Sequence, residues 1–475
     1  MKTFFTLLSL MIFTSLWAQK SKNIYVSPSG NDAGPGSFEQ PFRSLQKAAD
    51  VAKPGDTVHL RAGIHNYNPD PKSSSVVLLN RDGEKGKPIT FTNYFDPVTK
   101  TYEDAVIQTF VENPANAQVA YSRLYRQAFT VLAKWINLEH LAIRGSRSTI
   151  SLEEARRYER MLSKDPDFPD DVKRRMFQSG IRIECKNGKV AGHIKVDHCI
   201  IQECTTTAIG VNTGDQKDFS PMDILITNNI IRENNQRNNW GSSAVNLFLA
   251  RNKGDKSTQV TIENNDIYNN ENMLIWARAK KGADGKDTLD ANGKPVLQDH
   301  NGGWSDGSGI IVDHSFEFTG RVLIKNNLVR NNGAAGICIT GAPHIDIVNN
   351  TIYRNANNPH LKWANITLVQ KQTRDVIIKD NISWSRNGQP AFFGKTDGVD
   401  EISFSGNVHY NDKGAKLEGT KPWNTLPSGD QFADPLFVDA PGGDFRLRPG
   451  SPAQGKGANL AKFDLPVIPA SLRLP

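Results

Sequence analysis

Short runs of alternating apolar and polar residues recur along this chain. Apolar side chains occupy every second position in each run, which is the period of a β-strand and excludes a helix. The clearest copies each contain an Asn-Asn pair and span residues 224–231, 260–267, 322–329 and 345–352, and weaker copies begin at Ile194, Val376 and Ile402. The pattern therefore predicts a series of half-buried strands that each end at a bend.

The spacing of these runs predicts stacked coils. The step is 23 residues from Asn326 to Asn349 and 31 residues from Asn349 to Asp380. Repeats of this length are typical of a solenoid, whose units bury their apolar faces only against one another. Because two or more short strands fit in each repeat, we expect an all-β fold, a parallel β-helix. The second run of each repeat begins at Gly180, Ala208, Ala244, Gly309, Gly336 and Asn365.

The asparagine that follows the inward aliphatic residue of each run is expected to stack on its counterpart in the next coil. Stacked side-chain amides satisfy one another and the backbone at a buried bend. The ordinary alternative is that these residues only form turns. The predicted ladder consists of Asn228, Asn264, Asn326 and Asn349.

The first 18 residues have the composition of an export signal. Lys2 precedes an uncharged apolar run, and Ala18 is a small residue at a suitable cleavage point, in a stretch too short to cross a bilayer. No later stretch is long and apolar enough to cross a membrane, and the mean hydropathy of the whole chain is −0.49. We therefore expect a cleaved signal peptide over residues 1–18 and a secreted or periplasmic mature protein.

Four cysteines are few for an exported chain of 475 residues, so the fold is not expected to depend on a disulfide framework. Cys185, Cys199 and Cys204 fall close together in the first regular coils and could include one bridge. Cys338 is expected to be isolated.

One elongated domain is predicted over residues 19–475, with a helical cap and two insertions. An amphipathic pattern before Pro54-Gly55 predicts a helix that covers the open end of the solenoid. A Ser-Leu-Glu-Glu capping box and two Asx-Gly turns mark the insertions. The predicted boundaries are 24–144 for the cap and first coils, 145–178 for a helical insertion, 180–410 for the regular coils, 278–304 for a hairpin insertion and 411–475 for a closing segment.

Several motifs resemble those of secreted bacterial right-handed parallel β-helix proteins, the pectate-lyase-like superfamily of polysaccharide-active enzymes. They are IYVSPSGNDAGPGSFEQPFRSLQKAA from Ile24, PGDTVHLRAG from Pro54, DGSGIIVD from Asp306, TGRVLIKNN from Thr319 and DPLFVDAPGGDFRLRPGSPA from Asp434. The resemblance covers nearly the whole chain and implies a single-stranded right-handed parallel β-helix. That superfamily includes lyases, glycosidases, epimerases and non-catalytic spikes, so the resemblance leaves the reaction open.

A polysaccharide can lie along one strand column of such a fold, because coils repeat at about 4.8 Å, close to the reach of a sugar unit. The outward residues of the second runs form two columns whose chemistry changes from coil to coil, which favours binding over a purely structural role. The columns are Arg182, Gly210, Asn246, Ile311, Cys338, Thr367 and Glu184, Asn212, Phe248, Asp313, Thr340, Val369. Candidate substrate-binding residues are Arg182, Glu184, Asn246, Trp240, Trp304, Arg251 and Lys371.

The densest group of titratable side chains lies at residues 299–314. Two carboxylates about 5–9.5 Å apart can serve glycoside hydrolysis as acid with nucleophile or base. Alternatively, carboxylates can hold a Ca²⁺ that binds a uronate, while His314 or Lys371 removes the proton beside the uronate carboxyl. The ordinary alternative is a turn at Asp306-Gly307 and a strand end at Asp313. The candidate catalytic residues are Asp313, His314 and Asp306, the calcium ligands would come from Asp299, Asp306 and Asp313, and His300 is a further candidate.

The formal net charge of +7 favours an acidic polymer as substrate, because a basic surface attracts polyanions over long range. The chain has no nucleotide-binding glycine loop, zinc motif or nucleophile elbow, and no nucleic-acid partner is expected. The predicted function is a monomeric, exported polysaccharide lyase that acts by β-elimination on a uronate-containing glycan, with Ca²⁺ as a possible cofactor. A glycoside hydrolase with paired carboxylates and a non-catalytic carbohydrate-binding or adhesive β-helix are the alternatives.

Overall fold

The structure is a computed structural model. It describes residues 21–112, 121–214, 220–249, 251–252, 254–299, 303–304, 306–361, 363–386, 389, 391–394, 398–412 and 426–473. The predicted signal peptide over residues 1–18 and the candidate His300 lie outside the described residues. No helix in the described part of the chain is long and apolar enough to cross a membrane.

Three long parallel sheets, A, B and C, wind around one core and confirm the predicted all-β parallel β-helix. Sheet A contains Asn23–Val26, Thr57–Leu60, Ile89–Asn93, Lys134–Glu139, Gly192–Asp197, Met222–Thr227, Thr258–Glu263, Arg321–Lys325, Ile345–Val348, Thr373–Lys379 and Val399–Ser405. Sheet B contains Gly63–His65, Ala105–Gln108, Ala142–Arg144, Ile200–Gln202, Ile230–Arg232, Asp266–Tyr268, Leu328–Arg330, Thr351–Tyr353, Ile382–Ser385, Val408–Asn411 and Gln431–Phe432. Sheet C contains Ser75–Leu79, Gln127–Val131, Ser179–Glu184, Ile209–Asn212, Val245–Phe248, Ile310–Asp313, Ile337–Thr340, Ile366–Val369 and Phe392–Gly394.

The core is built from columns of aliphatic side chains, one per coil. In sheet A, for example, Ile194 pairs with Ile224, and Ile224 pairs with Val260. All three are at most 2% exposed. The period-two pattern of the sequence places an apolar residue inward at the same position of each coil. Because each inward residue lies directly over its counterpart, every coil buries apolar surface in the same way.

The asparagine ladder lies one residue later than predicted. The first asparagine of each pair has a left-handed backbone, with φ of +53° at Asn349, and forms the bend between sheets A and B. The second asparagine is fully buried and donates its amide to the next coil, as in the 3.0 Å bond from Asn350 to Asn381. The ladder runs through Asn229, Asn265, Asn327, Asn350, Asn381 and Asn407 and ends on Asp430. Among the residues predicted to stack, Asn326 donates to Asn264 at 2.6 Å.

A second ladder, which the sequence analysis did not identify, lies at the bend between sheets B and C. Its members are buried and donate from coil to coil at 2.8–3.1 Å through Asn234, Asn270, Asn332, Asn355 and Asn365. Each amide also donates to the carbonyl of an inward residue of the preceding coil, as Asn270 does to Ile231 at 3.2 Å. The two ladders satisfy backbone groups that these bends would otherwise leave buried and unpaired.

A short helix, α1 (Leu45–Val51), covers the N-terminal end of the solenoid. It is shorter than the predicted amphipathic segment because Ser44 caps it by accepting a 3.1 Å bond from the amide of Lys47. Leu45, Ala48 and Ala49 are buried on its inner face. The cap closes an end where unpaired strand edges would otherwise promote association.

Two insertions project from the coils. The first contains the helices α2 (Leu152–Arg156) and α3 (Asp170–Met176), and Ser151 caps α2 by accepting a 3.0 Å bond from the amide of Glu154. The second is an antiparallel hairpin that pairs Ala277–Ala279 with Leu297–Asp299. Smaller antiparallel pairs and 3₁₀ turns are Phe95–Asp96 with Thr101–Tyr102, Phe110–Glu112 with Tyr121–Leu124, Phe437–Asp439 with Asp444–Leu447, and Arg147–Thr149, Leu460–Lys462 and Ala470–Leu472.

All four cysteines are buried and none forms a disulfide, so the bridge considered among Cys185, Cys199 and Cys204 does not form. Burial raises the pKa of the Cys199 thiol to about 12. The thiols therefore stay protonated and behave as small apolar core residues.

An ion-pair network crosses three strands of sheet A and makes stability depend on pH. Asp375 accepts from Arg321 at 2.9 Å and contacts the ring of His344 at 2.7 Å, and the bond from Arg321 lowers the pKa of its carboxyl to about 2. Because the pKa of Asp375 is lower in the folded protein than the ordinary value of 3.8, its charged form stabilises the fold above about pH 3.8. This stabilisation is lost as the pH falls toward 2.

We expect Asp375→Asn to lower the free energy of unfolding at neutral pH by about 0.5–1 kcal/mol, since water screens a pair that is about one third exposed. The difference from the parent protein should disappear as pH falls toward 2. Urea unfolding of both proteins across this range measures it. An equal difference at both ends of the range would show that the charge of Asp375 is not the cause.

Candidate active site on the outer face of sheet C

The strand register of sheet C aligns its outward residues as the sequence predicts. Arg182 pairs with Gly210, Gly210 with Asn246, and Asn246 with Ile311. In the second column, Asp313 pairs with Thr340, which pairs with Val369. The outer face of sheet C is therefore a continuous surface whose side chains change from coil to coil.

The middle of this surface is covered by a loop. Ile311, Ala335 and Cys338 form an apolar cluster that is at most 3% exposed, and the partly buried Trp363 packs on it. Two predicted outward positions, Ile311 and Cys338, thus lie under other side chains. The surface that stays open is at the carboxyl ends of the strands, around Asp313 and His314.

Asp313 and His314 form a carboxylate–imidazole pair at that end. The Nδ1 atom of His314 lies 2.5 Å from Oδ1 of Asp313. The side chain of Asp313 is 26% exposed and that of His314 is 43% exposed. Burial raises the pKa of the Asp313 carboxyl above its ordinary value. Because Nδ1 faces the carboxylate, Nε2 of the ring is the nitrogen available to a substrate.

The direction of the His314 ring follows from the backbone. Asp313 is the last residue of its strand, and His314 has a left-handed φ of +43°. A left-handed residue breaks the alternation of the strand, so consecutive side chains can meet on the same side of the chain. The juxtaposition is therefore a local consequence of where this strand ends.

Two exposed phenylalanines flank the pair. The ring of His314 lies 6.2 Å from that of Phe248 and 5.4 Å from that of Phe316. Phe248 is 41% exposed and Phe316 is 38% exposed. Large apolar side chains at a polar site give sugar rings a face to stack on. Phe248 belongs to the predicted column of outward residues that also contains Asp313. Phe316 was not predicted, and the only sign of it in the sequence is its position two residues after His314.

The candidate cations Arg251 and Lys371 border this end of the sheet. Arg251 donates to Glu317 at 2.6 Å, so Glu317 offsets part of its charge. Lys371 is exposed and follows the strand Ile366–Val369. Val369 is two strands from Asp313 through Thr340, which corresponds to about 10 Å along the solenoid.

The other candidate residues lie elsewhere. Arg182 donates to the buried Glu184 at 2.6 Å, three coils from Asp313. Asp306 approaches Gly241, and both Asp306 and Gly307 have left-handed backbones, so they form the bend that enters the strand Ile310–Asp313. The remaining candidates are placed as follows: Asn246 is half-buried between Gly210 and Ile311, Trp304 stacks on His360 at 4.5 Å, and Trp240 lies 6.0 Å from Trp276.

The three aspartates considered for calcium do not come together. Asp299 is held by Arg160 through bonds of 2.9 and 3.2 Å, and Asp313 contacts His314. Within the described residues no three His, Cys, Asp or Glu side chains are close enough to hold a metal ion. In the described part of the chain, Asp299, Asp306 and Asp313 therefore do not form one shared carboxylate cluster.

Comparisons with known proteins agree with this architecture. A family model for a Pel9A-like, right-handed β-helix region matches residues 24–167, and a model for a right-handed β-helix region matches residues 255–426. The uncharacterized protein YwoF of Bacillus subtilis is 25% identical over 469 residues, which is 91% of this chain and 92% of that protein. Both matched regions fall on the coils of the three sheets.

Two further similarities are to pectate lyases. Pectate lyase PEL9 of Emericella nidulans is 33% identical over 87 residues, 18% of this chain and 20% of that protein. The crystal structure of pectate lyase Pel9A shares 14% identity, covers 91% of this chain and 90% of its own, and has a TM-score of 0.49. The family models and the coil geometry together show a right-handed parallel β-helix whose residues 24–167 match a Pel9A-like region.

Proposed function

We propose that the protein is a polysaccharide lyase that cleaves a uronate-containing glycan by β-elimination, with His314 as the general base. The observation that carries this proposal is the 2.5 Å pair between Asp313 and His314 on an open, aromatic-flanked surface. An imidazole that a carboxylate holds in one orientation is a suitable group for removing a proton from carbon.

The reaction combines proton transfers with the cleavage of one C–O bond. Nε2 of His314 takes the proton from the carbon next to the uronate carboxyl, C5. The electron pair of that bond forms the double bond between C4 and C5, and the C4–O bond breaks. The departing oxygen takes a proton from water, and the imidazolium of His314 then gives its proton to the hydroxide that remains. Asp313 stabilises the imidazolium that forms, and burial makes its carboxylate a stronger hydrogen-bond acceptor.

The proton at C5 is acidic only if the charge of the neighbouring carboxylate is offset. Lys371 is an exposed cation at this end of sheet C, and its long flexible side chain suits a mobile acidic group. Arg251 is a weaker candidate because it already pairs with Glu317. We therefore assign carboxylate binding to Lys371, and stacking of the flanking sugars to Phe248 and Phe316.

The geometry gives less support to a glycoside hydrolase. Such an enzyme needs two carboxyl groups about 5–9.5 Å apart. The recorded partner of Asp313 is the ring of His314, and Glu184 in the same column is three strands away, about 14 Å at the strand spacing. Asp306 precedes the strand that Asp313 ends and forms its entering bend.

Export of the protein is part of the proposal. The composition of residues 1–18 supports a signal peptide, and an extracellular or periplasmic location would bring the protein to a polymer that does not enter the cell. We propose a monomer, because a β-helix with both ends covered buries its core within one chain.

The function is tested by incubating the purified protein with polygalacturonate, alginate, rhamnogalacturonan, chondroitin sulfate and a neutral glucan. A lyase produces the ultraviolet absorbance of an unsaturated uronate together with new reducing ends. Reducing ends without that absorbance would identify a hydrolase. A protein that binds a polymer without either product would be a binding module, and the enzymatic proposal would then be wrong.

A further inference from the structure

The two insertions form a cleft near the amino ends of the sheet C strands, whereas Asp313 and His314 lie at the carboxyl ends. The helical insertion contributes residues 161–164, the hairpin contributes Trp276 and Arg278, and the coil between them contributes Trp240. The cleft has a volume of about 580 Å³. None of its lining residues belongs to the surface around Asp313 and His314.

Contacts between the insertions hold this cleft in shape. Asn239 donates to the carbonyls of Tyr158 and Met161 at 2.8 Å each. Arg160 binds Asp299 of the hairpin with two hydrogen bonds. The helices also have their own apolar core, in which Phe168 and Met176 are fully buried. The walls are thus fixed to each other and to the solenoid.

The floor of the cleft is an exposed aromatic platform. Trp240 is 53% exposed, and its ring centre lies 6.0 Å from that of Trp276 at an angle of 27°. Contact between water and the apolar indole of an exposed tryptophan is unfavourable. A sugar ring that covers the indole with its C–H face removes this contact and so binds favourably. The two indoles stack on each other, and the exposed ring of Trp240 is the surface that remains available to a sugar.

The charges around the platform select the class of sugar. Lys164 and Arg278 are exposed and form no ion pair with any described residue. Lys281 is balanced by Asp287 at 2.5 Å. The lining is therefore net positive, which complements an acidic ligand and not a neutral one.

We propose that this cleft is a second glycan-binding site, which takes an acidic oligosaccharide and is separate from the catalytic surface. Trp240 lies before the amino end of its sheet C strand and His314 follows the carboxyl end of the next strand, so at least the length of a strand, roughly 13 Å, separates the two sites. The identification of the ligand as a piece of the substrate polymer rests on the proposed function. The evidence from the aromatic platform and the nearby cations is independent of that function. Binding here would hold the polymer near the enzyme between cleavage events.

The test is affinity electrophoresis in native gels that contain polygalacturonate, alginate, rhamnogalacturonan, chondroitin sulfate or a neutral glucan. The proteins carry His314→Ala, so that the polymer is not consumed during the run. We expect retardation by at least one acidic polymer, and Trp240→Ala should weaken that binding about tenfold. Arg278→Glu should weaken it in the same gel.

Trp135→Ala is the matched control, because Trp135 is a half-buried tryptophan on sheet A that stacks on His193. Its mobility should equal that of the parent. The proposal is overturned if no acidic polymer retards the protein, if the neutral glucan retards it equally, or if Trp240→Ala leaves retardation unchanged. Cleavage by the parent enzyme is measured separately, so a failure of the lyase proposal is distinguishable from a failure of this one.

Discussion

Replacing Asn350 by alanine is expected to lower the free energy of unfolding by about 3 kcal/mol or more. The Asn350 side chain accepts from the amides of Asn327 and donates to Asn381, Ile324 and Val348. Four of these five hydrogen bonds are buried, so the substitution leaves several buried polar atoms without partners. Denaturant unfolding followed by circular dichroism measures the change.

The neighbouring asparagine provides the control. Asn349 has a left-handed backbone, and its side chain donates one long hydrogen bond of 3.5 Å to the carbonyl of Gly455. Asn349→Gly keeps that backbone conformation at no steric cost, and we expect a change of about 0.5 kcal/mol or less. Equal losses for Asn350→Ala and Asn349→Gly would contradict the assignment of the ladder to the second asparagine.

The sequence predicted the fold well but placed the ladder one residue too early. Period-two alternation fixes which residues face the core only while the chain stays extended. At each bend the first asparagine, such as Asn326, adopts φ near +53° and interrupts that alternation. The following residue, Asn327, then points inward, which counting along the strand does not reveal. The second ladder is visible in the sequence as repeated asparagines such as Asn270 and Asn332. Which asparagine of each repeat points inward depends on a left-handed bend of the same kind, which the sequence alone does not locate.

The sequence predicts the parts of the candidate site that follow from strand register. It does not predict the parts that depend on how loops and insertions pack against the strands. The columns of sheet C follow from alternation, so Asp313 and Thr340 were aligned correctly. Trp363 over Ile311, and Arg160 on Asp299, are contacts between segments that are remote in sequence. Such contacts depend on how insertions fold back, and a single sequence holds no periodic signal for them. The density of charges at residues 299–314 therefore suggested one cluster where the structure has separate groups.

The pairing of Asp313 with His314 makes a prediction about stability that separates chemistry from folding. Burial raises the pKa of Asp313 above its ordinary value, so protonation of this carboxyl is more favourable in the native state than in the unfolded chain. Stability from this group is therefore present at low pH and is lost as pH rises through the native pKa. We expect Asp313→Asn to keep its melting temperature at neutral pH, because the amide keeps the shape and carries no buried charge.

Replacing His314 by alanine is expected to reduce turnover of the cleaved polymer by roughly 10²-fold or more, because general-base catalysis contributes that much. Asp313→Asn should also reduce turnover, since the imidazole loses the carboxylate that orients it and stabilises its charged form. Ultraviolet absorbance of the unsaturated product gives both rates, and the melting temperatures verify folding.

His193→Ala is the matched control for this experiment. His193 also has a left-handed backbone and lies 2.6 Å from an aspartate, Asp223, but it is on sheet A, away from the proposed groove. Its activity should equal that of the parent, because an exposed histidine–aspartate pair by itself performs no chemistry without a bound polymer. If His314→Ala retains the parent turnover, His314 is not the base, and Lys371→Ala becomes the deciding variant for the same reaction.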